Sequence, residues 1–194
     1  VMQTYSFLMK QHVGKPSIPL VKEGHMVKRG ELIARKVEDA MGSNIYSSVN
    51  GRVTCVNEEY VEVEENSRVN SDEYVKLKGK TPLELIEEAG IVGLGGAGFP
   101  TYIKLAKSLN KDGTVIVNAA ECEPILAHNI HRIEKSAEKI IRGVEIVMEI
   151  VHAEHGVIAI KEKHKAAIME LKKYILDKKI DICLLQDLYP MGEE

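Results

Sequence analysis

Strands of uninterrupted apolar residues alternate with helices through the second half of the chain, and this alternation limits the fold more than any other feature. Residues 114–120, 157–160 and 180–185 have strand character, and residues 165–176 have helical periodicity. A longer helix, expected to end at Gly156, is marked by apolar residues at helical spacing: Ile133, Ala137, Ile140, Ile141, Val144, Val147, Met148 and Val151. Continuous apolar strands joined through helices predict a parallel sheet with right-handed crossovers, covered on both faces.

The first part of the chain has a different pattern, that of short alternating strands. Glycine turns at Gly24 and Gly30 separate the strands, Asn50-Gly51 is a hairpin signal, and residues 60–64 alternate again. This pattern of strands and glycine turns resembles that of biotinyl and lipoyl carrier domains, which have a barrel-sandwich fold. Such carriers have a modified lysine at a hairpin tip, whereas here Ala40-Met41 is followed by Gly42, and the nearest lysine, Lys36, comes too early. Residues 1–77 are therefore predicted to be a β-rich carrier-like domain without the modified lysine.

Composition excludes several classes of function. The net charge of -3 over 194 residues provides no broad basic field for nucleic acid, and the lysines between Lys161 and Lys165 are interpreted as a solvated helix start. The three cysteines have no C-x-x-C spacing, so no local zinc or iron-sulfur site is expected, and a reducing cytoplasmic setting follows. His12 and His25 are interpreted as surface or turn residues rather than metal ligands. No apolar run approaches the ~20 residues of a membrane span, so direct membrane insertion is not expected.

A glycine-rich stretch, Gly93-Leu94-Gly95-Gly96-Ala97-Gly98-Phe99-Pro100-Thr101, lies between two predicted helices. The first helix has Thr81 as N-cap, Pro82 at its first position and a capping-box glutamate, Glu84, and Gly90 closes it. The second is predicted to begin behind Thr101 and to run to Leu109. Uncovered loop amides beside a helix N-terminus indicate an anion site, while a turn needed only for tight packing is the alternative. Phe99 is either a hydrophobic plug or a ligand-stacking ring.

Two further motifs follow predicted strands. Val117-Asn118-Ala119-Ala120-Glu121-Cys122-Glu123-Pro124 ends the first strand of the sheet, and Tyr189-Pro190-Met191-Gly192-Glu193-Glu194 follows the last. In open α/β sheets, ligands bind at the carboxyl ends of the strands. Carboxylates there suit ribose hydroxyls and amide N–H groups, because a carboxylate only accepts hydrogen bonds.

Together the three motifs resemble the NADH-binding flavoprotein subunit of respiratory complex I. They are more similar still to the RnfC subunit of the Rnf electron-transport complex and to the proline reductase-associated electron transfer protein. The resemblance implies a Rossmann-like α/β domain over residues 78–194 that binds FMN and NADH. It also implies that the following residues line the cofactors: Gly93, Gly95, Gly96, Gly98, Phe99, Lys104, Asn118, Glu121, Glu123, Glu193 and Glu194. For Lys104, an ordinary surface lysine is the alternative.

Departures from the complex I pattern favour the Rnf-type branch. Leu94 stands where complex I has arginine, and Ala120 and Cys122 stand where it has aspartate and glycine. The family continues past Glu194 with further flavin contacts and, in many members, 4Fe-4S clusters, so the chain is expected to be the incomplete N-terminal part of a longer protein, with little activity alone. The resemblance implies an electron-transfer subunit that accepts hydride from NADH onto FMN and serves a redox partner or a membrane complex, to which it is peripheral. A non-catalytic docking or scaffold module of such a complex is the alternative.

Overall fold

The computed structural model describes residues 3–66, 73–94, 96–110, 112–121, 125–189 and 191–192. Tertiary contacts divide the chain into two units, Val1–Lys104 and Leu105–Glu194. The glycine-rich stretch therefore folds within the first unit, and the parallel sheet belongs to the second.

The first unit begins with two antiparallel sheets. Its strands are β1 (Thr4–Leu8), β2 (Ile18–Pro19), β3 (Met26–Val27), β4 (Leu32–Arg35), β5 (Ile45–Tyr46), β6 (Gly51–Val56) and β7 (Tyr60–Glu65). One sheet has the order β1-β7-β6-β3 and the other the order β2-β4-β5. Because side chains alternate between the two faces along β7, Val61 and Val63 both point into a core. That core also contains Met9, Ile33 and Val53. The antiparallel β architecture expected for this region is confirmed.

The prediction of a hairpin at Asn50-Gly51 is wrong. Gly51 instead begins β6 and pairs with Val27 on one side and Glu65 on the other. A Cβ atom at Gly51 would lie 2.2 Å from the carbonyl oxygen of Glu64. Glycine is needed here because a neighbouring strand passes too close for any side chain.

Helix α1 (Pro82–Glu88) forms as its local signals predict. The Thr81 side chain accepts a hydrogen bond from the Glu84 amide, the Glu84 carboxylate accepts from Thr81, and Gly90 follows with a φ of 68°. Helix α2 (Thr101–Leu105) is shorter than expected. Within the second unit, the amide of Leu109 donates to the carbonyl of Val151 at 2.6 Å, so it is not available for a helical hydrogen bond.

The second unit contains the expected parallel sheet. Its elements are β8 (Thr114–Ala119), α3 (His128–Val151), β9 (His155–Lys161), α4 (Lys165–Lys172) and β10 (Ile180–Leu185). The order is β10-β9-β8, and both pairs of neighbours are parallel.

The end of α3 differs from the sequence expectation. The helix ends at Val151, and His152 takes the left-handed conformation with a φ of 58°, donating its N–H to the carbonyls of Glu149 and Met148. Gly156, expected to end the helix, lies instead in β9, where a Cβ atom would meet Met148 Sδ at 2.9 Å. The helix therefore ends with His152 as its cap in the left-handed conformation, before the chain reaches the glycine that was expected to end it.

Both helices lie on one face of the sheet, which corrects the expectation that helices cover both faces. Side chains of α3 and α4 share one core with Ile158, Ile160 and Ile180. Two right-handed crossovers that step in the same direction place their helices on the same side. On the opposite face of this unit, Ile116 is 69% exposed.

Candidate functional site

The glycine loop, residues 93–98, is closed at its base by backbone hydrogen bonds. The Gly93 amide donates to the Phe99 carbonyl at 2.9 Å, and the Thr101 amide donates to Ile91 at 2.9 Å. The expectation of an uncovered amide therefore fails at Gly93. At the tip, Leu94 is 97% exposed.

Gly96 and Gly98 have opposite surroundings. A Cβ atom at Gly96 would meet nothing within 4 Å, so the backbone at the tip is open to a ligand. At Gly98, which has a φ of +65°, a Cβ atom would lie 2.8 Å from the Gln11 carbonyl oxygen and 2.9 Å from His12 Cα. The Gly98 carbonyl accepts from the Val13 amide at 3.3 Å. The tip is exposed, while the end of the loop packs on residues 11–13; Gly95 lies outside the described residues.

Phe99 and Lys104 contact each other beside the loop. The ammonium group of Lys104 lies 5.6 Å from the centroid of the half-buried Phe99 ring, in cation–π geometry. Helix α2 has only five residues, so it aligns few peptide dipoles. The helix contribution to the expected anion site is therefore small, while the exposed Lys104 places a positive charge next to Phe99.

Asn118 joins the second motif to the third. Its Nδ2 donates to the Gly192 carbonyl at 2.7 Å, and its Oδ1 accepts from the Ala120 amide at 3.1 Å. Both motifs therefore meet at the carboxyl end of β8. Glu123, Glu193 and Glu194, assigned to the same site, lie outside the described residues, as does Cys122.

Glu121 caps the following helix. Its Oε2 accepts from the Asn129 amide at 3.0 Å, in the first turn of α3. The N-cap residue of that helix, Ala127, makes no side-chain cap hydrogen bond. The backbone φ of Glu121 is 41°, in the left-handed region that is costly for non-glycine residues. Glu121 is thus held in one orientation at the end of β8.

A charged cluster near the carboxyl ends of β9 and β10 was not expected from the sequence. Lys161 is only 4% exposed, and its Nζ lies 3.4 Å from Asp187 Oδ1; the same oxygen lies 2.8 Å from Lys163 Nζ. Hydrogen bonds and charges of Lys163 and then Lys161 lower the pKa of Asp187. The interpretation of this segment as a solvated helix start is wrong at Lys161. The signal that could have indicated the cluster is a lysine at the carboxyl end of an apolar strand, the position at which these sheets bind ligands.

His164, the residue before α4, belongs to the same cluster. Its Nε2 atom is buried and has no hydrogen-bond partner among the described residues. Burial lowers its pKa, as do the charges of Lys163 and Lys161, against an opposing effect of Asp187 and Glu121. The structure therefore favours the neutral imidazole.

This lowered pKa predicts a pH dependence of stability. The unfolded chain binds a proton at His164 near the ordinary value of 6.5, and the folded chain binds it only at lower pH. The stabilisation is therefore complete above pH 6.5 and is lost as the pH falls through the window below it. We expect the thermal midpoint to fall less between about pH 7 and pH 5 in His164→Gln than in the wild type. Parallel midpoint curves for the two proteins would contradict this.

His12 and His25 differ from each other in environment. His25 is exposed in a turn, as expected, but His12 is 5% exposed, which corrects its assignment to the surface. Its Nε2 accepts from the Ser43 amide at 3.2 Å, and its Nδ1 donates to the Val13 carbonyl at 3.1 Å. Both ring nitrogens are thereby used in hydrogen bonds within the fold.

Membrane spans and metal clusters are both absent from the part of the chain that the structure describes. None of the helices there has the length and apolar character needed to cross a membrane. No three His, Cys, Asp or Glu side chains in those ranges are grouped as metal ligands.

Comparison with known proteins identifies two matching regions. Residues 86–194 match the Nuo51 FMN-binding domain, and residues 1–72 match the RnfC barrel sandwich hybrid domain. The C subunit of the proton-translocating ferredoxin:NAD(+) oxidoreductase complex of Clostridium ljungdahlii is 34% identical over 96% of this chain and 44% of its own length. The C subunit of the Na(+)-translocating complex of Acetobacterium woodii is 32% identical over 96% of this chain and 46% of its own length. The chain thus spans less than half the length of these relatives.

A cobalamin reductase of Citrobacter freundii, PduS, is 43% identical over 59% of this chain and 25% of its own length. Among solved structures, an NAD+-reducing NiFe hydrogenase in the air-oxidised state has a TM-score of 0.52 at 23% identity, covering 58% of this chain and 22% of the hydrogenase chain. That likeness supports the fold alone. The expected resemblance to the complex I flavoprotein and to RnfC is confirmed, whereas the resemblance to the proline reductase-associated protein stays a prediction. The chain belongs to the family of the Nuo51 FMN-binding domain and is similar to RnfC across both of its matched regions.

Proposed function

We propose that this chain contributes an FMN site to an electron-transfer subunit that takes electrons from NADH. The observation that carries the proposal is the open backbone at Gly96, where nothing lies within 4 Å of a Cβ position, inside the region that matches the FMN-binding family. Glycine at an exposed loop tip lets a ligand approach the main chain closely. A purely structural turn does not need that open space.

The residues of the first unit suit the phosphate and ring of a flavin nucleotide. We assign Gly93, Gly95, Gly96 and Gly98 to the loop that shapes the site, with Gly96 at the point of closest approach. Lys104 brings a positive charge next to Phe99, so an anionic ligand there would meet a cation backed by an aromatic ring. These assignments use only charge and open space and involve no acid or base catalysis.

The residues of the second unit suit hydroxyl and amide groups of a nucleotide. We assign Asn118, Glu121, Glu123, Glu193 and Glu194 to this role because carboxylate and amide oxygens accept hydrogen bonds from such groups. Asn118 already holds Gly192 at 2.7 Å, so it fixes the backbone just before the two terminal glutamates. The lowered pKa of Asp187 keeps a further carboxylate ionised near the carboxyl end of β10.

A bound FMN would supply the redox chemistry, by taking a hydride from NADH and releasing electrons to a partner redox protein. The two relatives from Clostridium ljungdahlii and Acetobacterium woodii are subunits of ion-translocating ferredoxin:NAD(+) oxidoreductase complexes. We propose a corresponding role here, peripheral to a membrane electron-transport complex, with 4Fe-4S clusters provided by the longer protein. NADH as the donor and the identity of the acceptor are parts of this proposal.

Titration with FMN tests the assignment. We expect the chain to quench flavin fluorescence on binding, and Gly96→Val to weaken the affinity by about tenfold or more, because a loss of ~1.4 kcal/mol in binding free energy already has that effect. The matched control is Gly143→Val, since Gly143 is exposed on α3 and also has nothing within 4 Å of a Cβ position.

The control separates loss of binding from loss of folding. Gly143→Val is expected to bind FMN like the wild type, and both variants are expected to retain the wild-type unfolding midpoint. If the wild type binds no FMN, or if Gly96→Val binds it equally well, the flavin assignment fails. The docking or scaffold role would then be the better description.

A further inference from the structure

Residues in and just before β5 hold the beginning of the glycine-loop segment. From the segment of residues 43–46, the Ser43 hydroxyl donates to the Gly90 carbonyl at 2.8 Å, and Asn44 Nδ2 donates to the Glu88 carbonyl at 3.1 Å. The Tyr46 hydroxyl donates to the same Glu88 carbonyl. The Glu88 carbonyl lies at the carboxyl end of α1, where helices leave such groups without internal partners, and Gly90 follows just after the helix.

Lys36 holds the helices on both sides of the loop. Its ammonium group is paired with the Glu87 carboxylate on α1. It also donates to the Tyr102 hydroxyl on α2 at 3.4 Å and lies 4.6 Å from the centroid of that ring. Burial alone would lower the pKa of Lys36, but hydrogen bonds to Glu87 and Tyr102 and the charge of Glu87 raise it. Lys36 therefore stays charged.

His12 joins two segments between strands, around Val13 and Ser43, that contact the glycine-loop segment. It accepts from Ser43 through Nε2 and donates to Val13 through Nδ1. Val13 in turn donates to the Gly98 carbonyl at 3.3 Å. A buried ring with both nitrogens bonded thus links the contact at Gly90 to the contact at Gly98.

We propose that the carrier-like part of the first unit, mainly through the segments that connect its strands, acts as a clamp that keeps the glycine loop in its binding-competent shape, with Lys36 and His12 as positioning residues. The inference rests on the proposed FMN site. In a carrier domain, a lysine must be free to bear a cofactor arm, whereas Lys36 is engaged with both helices that flank the loop. The clamp lowers the entropy that the loop loses when a ligand binds.

A tryptophan reporter tests the clamp without FMN. The chain contains no tryptophan, so Leu94→Trp places a single fluorophore at a loop position that is 97% exposed. In this background we expect Lys36→Met to lower the fluorescence anisotropy, and Lys36→Arg to retain it because the charge and the pairing with Glu87 remain. Arg35→Met is the matched control, since Arg35 is the neighbouring cation and pairs with the exposed Glu38 rather than with α1 or α2.

FMN titration without the reporter supplies the second readout. Lys36→Met is expected to raise the FMN dissociation constant by about tenfold, because fewer molecules then have a competent loop. Ser43→Ala removes one hydrogen bond to Gly90 and should raise the FMN dissociation constant by a smaller factor. This second variant keeps the test valid if Lys36→Met unfolds. Lys36→Arg and Arg35→Met should bind like the wild type.

The two readouts separate the clamp from the flavin assignment. Unchanged anisotropy in Lys36→Met and Ser43→Ala overturns the clamp, and so does a fall in anisotropy with an unchanged dissociation constant. If the wild type binds no FMN, the proposed function fails. A lower anisotropy in Lys36→Met would then still show that Lys36 restrains the glycine loop.

Discussion

Gly98→Ala is expected to destabilise the first unit by about 2–4 kcal/mol and to weaken FMN binding in parallel. The backbone φ of +65° at this residue is costly for any residue with a Cβ atom. The added methyl group would also lie 2.8 Å from the Gln11 carbonyl oxygen, which is backbone and has little room to move. Denaturant unfolding followed by circular dichroism, together with FMN titration, measures both effects.

Gly96→Ala is the control for that experiment. It makes the same chemical change two residues earlier, in the same loop, at a position with nothing within 4 Å. We expect its unfolding free energy to stay within about 0.5 kcal/mol of the wild type. Equal stability losses in the two variants would show that the loop end does not pack on residues 11–13.

Asp187→Asn is expected to lower the unfolding midpoint of the second unit, whereas Lys161→Met is expected to change its stability by no more than about 1 kcal/mol. The Lys161 side chain is only 5% exposed, and among the described residues Asp187 provides the carboxylate nearest to its Nζ atom, at 3.4 Å. Removing the carboxylate leaves the buried Lys161 side chain without this partner. Removing the lysine instead leaves Asp187 paired with Lys163 at 2.8 Å.

The double variant completes this comparison. Combining Lys161→Met with Asp187→Asn should recover most of the stability that Asp187→Asn loses, because the buried lysine side chain is then absent. A double variant as unstable as Asp187→Asn alone would mean that Asp187 acts through Lys163 or through the backbone. Thermal unfolding followed by circular dichroism measures all three proteins.

Local chemistry made some elements predictable from sequence. Helix α1 has its cap, its first-turn proline and its closing glycine within ten residues of one another, and it forms as expected. The parallel strands were equally clear, because each is a short apolar run between helical patterns. Helix α2 is shorter than expected, and the amide of Leu109, at the end of the predicted helix, bonds instead to Val151, a residue far along the chain.

The candidate site was predictable in its motifs and less so in its surroundings. The sequence indicated that Asn118 and the residues after β10 meet at one end of the sheet, since both belong to motifs at the carboxyl ends of parallel strands. It did not indicate that Lys161 would be buried, because a lysine-rich segment before a helix is normally solvated. The packing of Gly98 on residues 11–13 depends on contacts between distant segments, which no local pattern encodes.

The helix cap made by Glu121 has an energetic consequence for recognition. Its Oε2 atom is held by the Asn129 amide, so the side chain gives up its rotamer freedom when the chain folds. Fixing a glutamate side chain fully costs about 1.5–2 kcal/mol, and the share that this hydrogen bond takes is lost before any ligand arrives. A hydroxyl group that reaches the second oxygen, Oε1, therefore meets a preorganised acceptor whose direction α3 has already set.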